Sequence, residues 1–319
     1  MDMILETEGL SVHYFTRKGR VKAVSGVDLQ VRKGETLGLV GESGCGKSTL
    51  GFSILRLVPP PGRIVAGKIL FDGVNLVELN EEKMRANRGR RIAMIFQDPM
   101  TSLNPVLTIG EHFAEVLRTH EPEVGESEID ERVRELTENL RISEERLDDF
   151  PHQFSGGMRQ RVMIGLAMIL HPEMIIADEP TTSLDVVVQA QILELLKSLR
   201  ETFDLTLILI THNIGVVAET ADRVAVMYAG HITEVSDVYS LFDDPQHPYT
   251  RLLLESVPNV SLDEQELKWI PGSPPDLTSD VGGCPFAPRC PYVMDRCWKE
   301  YPEPRLVGSR RWVSCHLYE

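Results

Sequence analysis

No apolar run in this chain approaches the roughly 20 residues that a membrane-crossing helix needs. The longest, Val162–Leu170 and Leu205–Ile210, suit buried core elements. The opening MDMILETEGL has neither a basic n-region nor an apolar h-region, so no signal peptide is expected and the chain is expected to stay in the cytosol. Positive charge is short as well. Lys and Arg number 33 against 48 Asp and Glu, a formal net charge of −15, which argues against a nucleic-acid partner. More than half of that excess sits in Glu121–Asp149, where twelve acidic residues stand against four arginines, the pattern of a solvated helix face. Internal repeats are absent. Cysteine is scarce and uneven: five in all, one at position 45 and four between 284 and 315. Clustered cysteines in a cytosolic chain favour a metal over a disulfide.

What is present is an ordinary globular composition, 42% hydrophobic and 25% charged over 319 residues, a length that suggests about two domains. Leu5–Tyr14 alternates loosely and reads as a strand, followed by a turn at Thr16–Arg20 and a second strand region at Val21–Val31. Lys33–Gly34 turns into a strand at Thr36–Val40, and Gly67–Phe71 and Arg91–Phe96 are further strands. Ile109–Thr119 and Ser127–Leu140 carry helical periodicity with Pro122 between them, a helical insertion between two α/β halves. The α/β character returns with a strand at Glu173–Ala177, a helix at Val186–Arg200, a strand at Leu205–Thr211 and a helix at Ile214–Ala221. Val224–Tyr228 and His231–Val235 read as a hairpin across Ala229–Gly230. Strands alternating with helices imply a mainly parallel sheet. From about Ser236 prolines recur, and 236–319 reads as an irregular, Cys-rich C-terminal extension.

Gly41–Thr49 reads GESGCGKST, a complete GxxxxGK[ST] phosphate loop between an apolar strand and a helix at Leu50–Leu57. Amides turned inward by the glycines, together with a helix N-terminus, suit phosphate oxygens. Lys47 would reach the β- and γ-phosphates, and the Ser48 hydroxyl would ligate Mg²⁺. Cys45 holds a variable position, where the loop works through its backbone. Met174–Asp178 is an apolar strand ending in a carboxylate, 131 residues after Lys47. In a phosphate-loop protein Asp178 would hold Mg²⁺, and Glu179 could orient or deprotonate the attacking water. Ser155, Gly156 and Gly157, ahead of a helix at Arg159–Leu170, suit either a second anion site or an ordinary N-cap and turn. Gln97 and His212 each follow an apolar strand, and neither is informative alone.

Taken in order, these motifs resemble the nucleotide-binding subunit of an ABC transporter, from Leu5 to about Val235. Walker A corresponds to Gly41–Thr49, the glutamine loop to Gln97, the signature to Phe154–Met158 and Walker B to Met174–Asp178. The D-loop corresponds to Ser183-Leu184-Asp185 and the switch histidine to His212. The usual signature reads LSGGQ; Phe154 and Met158 depart from it at the ends, while Ser155, Gly156 and Gly157 are kept. The resemblance implies an α/β fold over residues 1–235, a P-loop (RecA-like) parallel-sheet core with an antiparallel β subdomain and an α-helical subdomain inserted at about 98–165. It implies ATP and Mg²⁺ as ligands. Nucleotide contacts would come from Tyr14 (an adenine-stacking aromatic, with Phe15 the near alternative), from Gly41, Ser43, Gly44, Cys45, Gly46, Lys47, Ser48 and Thr49, and from Gln97, Ser155, Gly156, Gly157 and Asp178. Ser48, Gln97 and Asp178 would hold Mg²⁺, and Glu179, His212, Gln97 and Lys47 would carry catalysis, with Glu179 as the base.

A narrower resemblance follows from QDPMTSLNP at 97–105, FPHQFSGGMRQRVM at 150–163, DEPTTSLDVVVQAQ at 178–191 and DPQHPYTRLLLESVP at 244–258. These are similar to the dipeptide/oligopeptide (and nickel) importer branch, and FSGGM to the first of its two ATPase subunits. The implied partners are a second, paralogous ATPase in a head-to-tail heterodimer, two permease subunits and an extracytoplasmic substrate-binding protein. The implied place is the cytoplasmic face of the membrane. The cargo stays open between dipeptides, longer peptides, nickel chelates and some sugars. In the tail, Cys284-x₅-Cys290-x₆-Cys297-x₁₇-Cys315 could hold a [4Fe–4S] cluster or zinc, or remain as free thiols or a disulfide. The wide gaps lean toward iron–sulfur, and some members of the branch are similar in carrying such a cluster. A non-transport ABC ATPase is the other class. Its repair types need long coiled coils where this chain has only 58 residues between Gln97 and Ser155.

Overall fold

The computed structural model describes residues 2–98, 102–256, 269–279, 282–308 and 311–319. Pro99, Met100 and Thr101 of the QDPMTSLNP segment, and Val257 and Pro258 at the end of DPQHPYTRLLLESVP, lie outside them. The chain forms two compact units, one from Met1–Glu78 with Thr211–Glu319 and the other from Leu79–Ile210.

In the first unit β1 (Met3–Thr16) and β2 (Gly19–Arg32) make a long hairpin, and β3 (Thr36–Val40) leads into helix α1 (Lys47–Ile54). Then β4 (Gly62–Phe71) and β5 (Val74–Asn75) complete a four-stranded antiparallel sheet ordered β2-β1-β4-β5. Leu5, Leu10, Val12, Val24, Ile69 and Phe71 are fully buried in it. Register shifts around Leu10 break the parity of β1, which is why its alternation reads loosely. Strand β4 starts earlier than its apolar pattern suggests. Its first half is largely exposed and is held by pairing to β1, with Gly62 opposite Tyr14 and Arg63 opposite His13.

The second unit contains α2 (Glu81–Asn87), β6 (Ile92–Ile95), α3 (Ile109–His120), α4 (Glu126–Asn139), α5 (Gly156–Met168), β7 (Met174–Asp178), α6 (Val186–Phe203) and β8 (Thr206–Ile210). Strands β6, β7 and β8 run parallel, with Ala177 opposite both Ile95 and Leu209. Helix α3 starts with a capping box between Thr108 and Glu111. Helix α4 buries Ile129, Val133 and Leu136, while Glu126, Glu128, Asp130, Glu131, Glu135 and Glu138 are exposed. The acidic run is therefore the solvated face of a helix. Its ion pairs, such as Arg134 with Glu144, are exposed and contribute little. Helix α2 has no amphipathic signature; it rests on one buried Met84 and the Asn80 cap, which accepts from the Lys83 amide.

The chain returns to the first unit with α7 (Ile214–Thr220), β9 (Arg223–Tyr228) and β10 (His231–Asp237). Strand β9 lies parallel to β3, from Leu37 opposite Arg223 to Val40 opposite Val226. It turns into β10 through Ala229 and Gly230, both at positive φ. The extension is more regular than its prolines suggest. It forms α8 (Val238–Asp243), α9 (Pro248–Glu255), β11 (Arg305–Val307) and β12 (Arg311–Val313), and β12 pairs with β10. Pro248 occupies the first turn of α9, where a missing amide costs nothing. Tyr249 and Phe286 enter the core beside Val40 and Val226. Their rings meet Tyr228 at 4.5 and 5.2 Å and each other at 5.4 Å. Each such buried aromatic stabilises the unit by roughly 1.5–3 kcal/mol.

His231 opens β10 and stacks on Tyr301 at 4.3 Å. Burial, helped by the charge of Lys22, lowers its pKa from 6.5 to about 4. The folded chain holds it neutral where the unfolded chain takes up a proton. Its contribution is therefore complete above pH 6.5 and is lost as pH falls from 6.5 towards about 4. His231→Phe, which keeps a ring for Tyr301, should flatten the dependence of Tm on pH across that window; an unchanged slope would contradict the assignment.

Candidate functional site

In the first unit the phosphate loop follows the fully buried β3. Gly46 stands at the N-cap of α1 and brings no side chain, so no side-chain cap closes that helix end. The two outer loop glycines are required by space as well as by φ. A Cβ on Gly41 (φ 152°) would meet the Met227 carbonyl at 2.1 Å, and one on Gly46 (φ 108°) the Ala23 carbonyl at the same distance. Lys47 is buried, and its Nζ donates to the carbonyls of Gly41 at 2.8 Å and Glu42 at 3.1 Å. Its ammonium thus sits over the loop's own backbone. Cys45 is buried, and burial raises its pKa despite the neighbouring Lys47.

The same unit positions three further residues of the expected set. Ser48 lies in the first turn of α1, half-buried. Tyr14, on β1, has its hydroxyl 3.2 Å from Thr49 Oγ1, which fixes the ring beside the end of the loop motif. The Thr211 amide donates to the Leu39 carbonyl at 3.1 Å, so the exposed His212 follows directly at the C-terminal end of β3.

In the second unit Asp178 ends β7, 2% exposed and paired with Ile210. Glu179 follows at φ 50°, a left-handed conformation that a side-chain-bearing residue adopts only when its surroundings enforce it. Its amide donates to the Ile210 carbonyl at 2.9 Å, and its carboxylate accepts from the Thr182 hydroxyl at 3.0 Å. The register of β6 with β7 puts the exposed Gln97 at the same C-terminal sheet edge as Asp178 and Glu179. Both readings of the FSGGM motif begin with the same geometry. Ser155 caps α5, accepting from the Met158 amide at 3.3 Å, and Gly156 and Gly157 form its first turn. The D-loop residue Asp185 caps α6 by accepting from the Val188 amide.

The tail brings Cys284, Cys290, Cys297 and Cys315 around one small cavity, about 20 Å³, which His247 and His316 also line. The Cys284 amide donates to the Cys297 carbonyl at 2.8 Å. All five cysteines are free. The expected cluster site is not preformed: among the described residues no three His, Cys, Asp or Glu side chains are arranged to hold one metal ion. Burial, reinforced by the neighbouring thiols, pushes Cys284 up to about 12 and Cys315 to about 11, so both are protonated at neutral pH.

One connection was invisible in the sequence. Glu42, at a variable loop position, accepts from both Arg289 guanidinium nitrogens at 2.7 and 3.0 Å. Its amide donates to the Tyr249 hydroxyl at 2.9 Å. The residues lie more than 200 positions apart, and no local signal links them.

Residues 24–182 match the family model described as ABC transporter, and residues 233–297 that described as oligopeptide/dipeptide transporter, C-terminal region. The chain is 48% identical to the dipeptide transport ATP-binding protein DppD of Bacillus subtilis, covering 100% of this chain and 96% of that protein. It is also 48% identical to the oligopeptide transport ATP-binding protein OppD of the same organism, over 98% and 88%. Among solved structures it is similar to the dimeric post-hydrolysis state of the ATP-binding cassette MJ0796 bound to ADP and Pi. There the TM-score is 0.64 and the identity 26%, over 73% of this chain and 98% of that one. The glycine-opened loop, the carboxylate-ended strand and the regular tail thus belong to one known design: the chain is a member of the ABC transporter ATP-binding proteins, an ATPase of the branch that carries the oligopeptide/dipeptide transporter C-terminal region.

Proposed function

We propose that this ATPase energises an importer of di- or oligopeptides at the cytoplasmic face of a membrane. The observation that carries the reading is the full-length similarity to dipeptide and oligopeptide transport ATP-binding proteins, tail included. No described helix is long and apolar enough to cross a membrane, so the reading needs permease subunits to form the path. It also takes a paralogous ATPase as head-to-tail partner and an extracytoplasmic protein that delivers the peptide.

In this mechanism the loop amides and Lys47 grip the β- and γ-phosphates, and Tyr14 supports the adenine. Ser48 and Asp178, with Gln97, offer hard oxygen donors that fit Mg²⁺. When bound, Mg²⁺ neutralises charge on the phosphate oxygens. Glu179 takes a proton from the attacking water, in a conformation already enforced by its amide bond to Ile210 and by Thr182. His212 holds the γ-phosphate and senses its loss. Ser155, Gly156 and Gly157 complete the nucleotide site of the partner ATPase. Glu179→Gln should keep MgATP affinity within about twofold and slow turnover by about 10²-fold or more. Turnover at the wild-type rate would remove Glu179 from the role of base.

We also assign an iron–sulfur cluster to the tail. Four thiols and no carboxylate line the cavity, a donor set for a soft metal. Zinc sites typically pair cysteines about two to four residues apart, closer than the gaps here. Cys284, Cys290, Cys297 and Cys315 would hold the iron–sulfur cluster through their sulfurs. Anaerobically purified protein should hold about four iron and four sulfide per chain, and both should vanish when the four cysteines are changed to Ser. A single zinc, or no metal, would overturn the assignment.

A further inference from the structure

Glu42 is the junction of three contacts inside the first unit. Its carboxylate takes a two-pronged ion pair from Arg289, its amide is held by the Tyr249 hydroxyl, and its carbonyl receives the Lys47 ammonium at 3.1 Å. The Arg289 side chain is 4% exposed and that of Glu42 25%, so the pair is shielded from water. Arg289 is itself fixed. It donates to the Pro271 carbonyl at 2.8 Å and the Tyr228 hydroxyl at 3.2 Å, and its guanidinium lies 5.8 Å from the Tyr228 ring centre. It also sits in the short segment between Cys284 and Cys290, whose backbone closes in tight turns from Cys284 to Ala287 and from Phe286 to Arg289.

We propose that Arg289 and Tyr249 are positioning residues for the phosphate loop, through which the C-terminal extension sets nucleotide affinity. The proposal rests on the nucleotide site being where the loop is. A planar guanidinium, itself held by the Pro271 and Ile270 carbonyls and the Tyr228 hydroxyl, fixes both carboxylate oxygens of Glu42. With its amide also held, Glu42 presents its carbonyl to Lys47 in one orientation, so the loop enters binding preorganised. Loosening the brace makes nucleotide binding order the loop and weakens affinity without touching the hydrolytic groups of the second unit.

The test measures MgATP affinity, turnover at saturating ATP and thermal stability for Arg289→Ala, Arg289→Lys, Glu42→Gln, Tyr249→Phe and the Arg289→Ala/Glu42→Gln double variant. Expected is a Kd for MgATP raised about tenfold in the Arg289→Ala and Glu42→Gln variants. The double variant should be no worse than either single one, and saturated turnover of Arg289→Ala should change by less than about twofold. Arg289→Lys should recover only part of the affinity, because it lacks the fork. Unchanged Kd in folded variants, or strictly additive losses, would refute the brace. Lys47→Ala serves as the reference: if wild-type protein and Lys47→Ala bind MgATP alike, it is the nucleotide-site reading that fails, not the brace.

Discussion

Helix α1 begins at a glycine that cannot cap it, at the end of a strand with no exposed residue. An N-terminus of that kind must be satisfied by something other than its own side chains, and most of the first unit is organised around it. β3 aims it and β9 flanks that strand. Carbonyls of Ala23 and Met227 press so close that no residue but glycine fits at either end of the loop. Lys47 donates to two loop carbonyls, those of Gly41 and Glu42. In the proposed site, phosphate would be met by backbone geometry already present, together with Lys47.

The tail belongs to that arrangement. Tyr249 and Phe286 share a core with Val40, the last residue of the loop-bearing strand. Arg289 closes on the loop from the segment that separates two cysteines. The thiol cavity and the phosphate loop are therefore neighbours in the mechanical sense, joined by buried aromatic rings and one shielded ion pair. Burial raises the Cys284, Cys290 and Cys315 thiols, so a soft metal would have to displace their protons.

Much of the candidate site could be proposed from the sequence because the chemistry read there depends on local strings. A phosphate loop needs its glycines and lysine within nine residues, and Asp178-Glu179 needs only an apolar strand before it. Helices with a clear apolar stripe, such as α4, were equally plain. What failed to show depends on distance or on pairing. The first half of β4 is a strand because β1 is there, and α2 hangs on a single buried methionine. The prolines of the extension suggested irregularity, yet Pro248 starts a helix and β12 completes a sheet whose partner β10 lies far back in the chain. The bond between Glu42 and Arg289 spans 247 positions and joins two residue types that are unremarkable where they stand.

The most direct measurement is ATP hydrolysis by this chain assembled in lipid vesicles with permease subunits and the paralogous ATPase proposed for it, with and without the proposed peptide-loaded binding protein outside. Hydrolysis that rises with the peptide and accompanies its accumulation inside is the predicted result. Hydrolysis indifferent to peptide, with no uptake, would contradict the peptide-importer function.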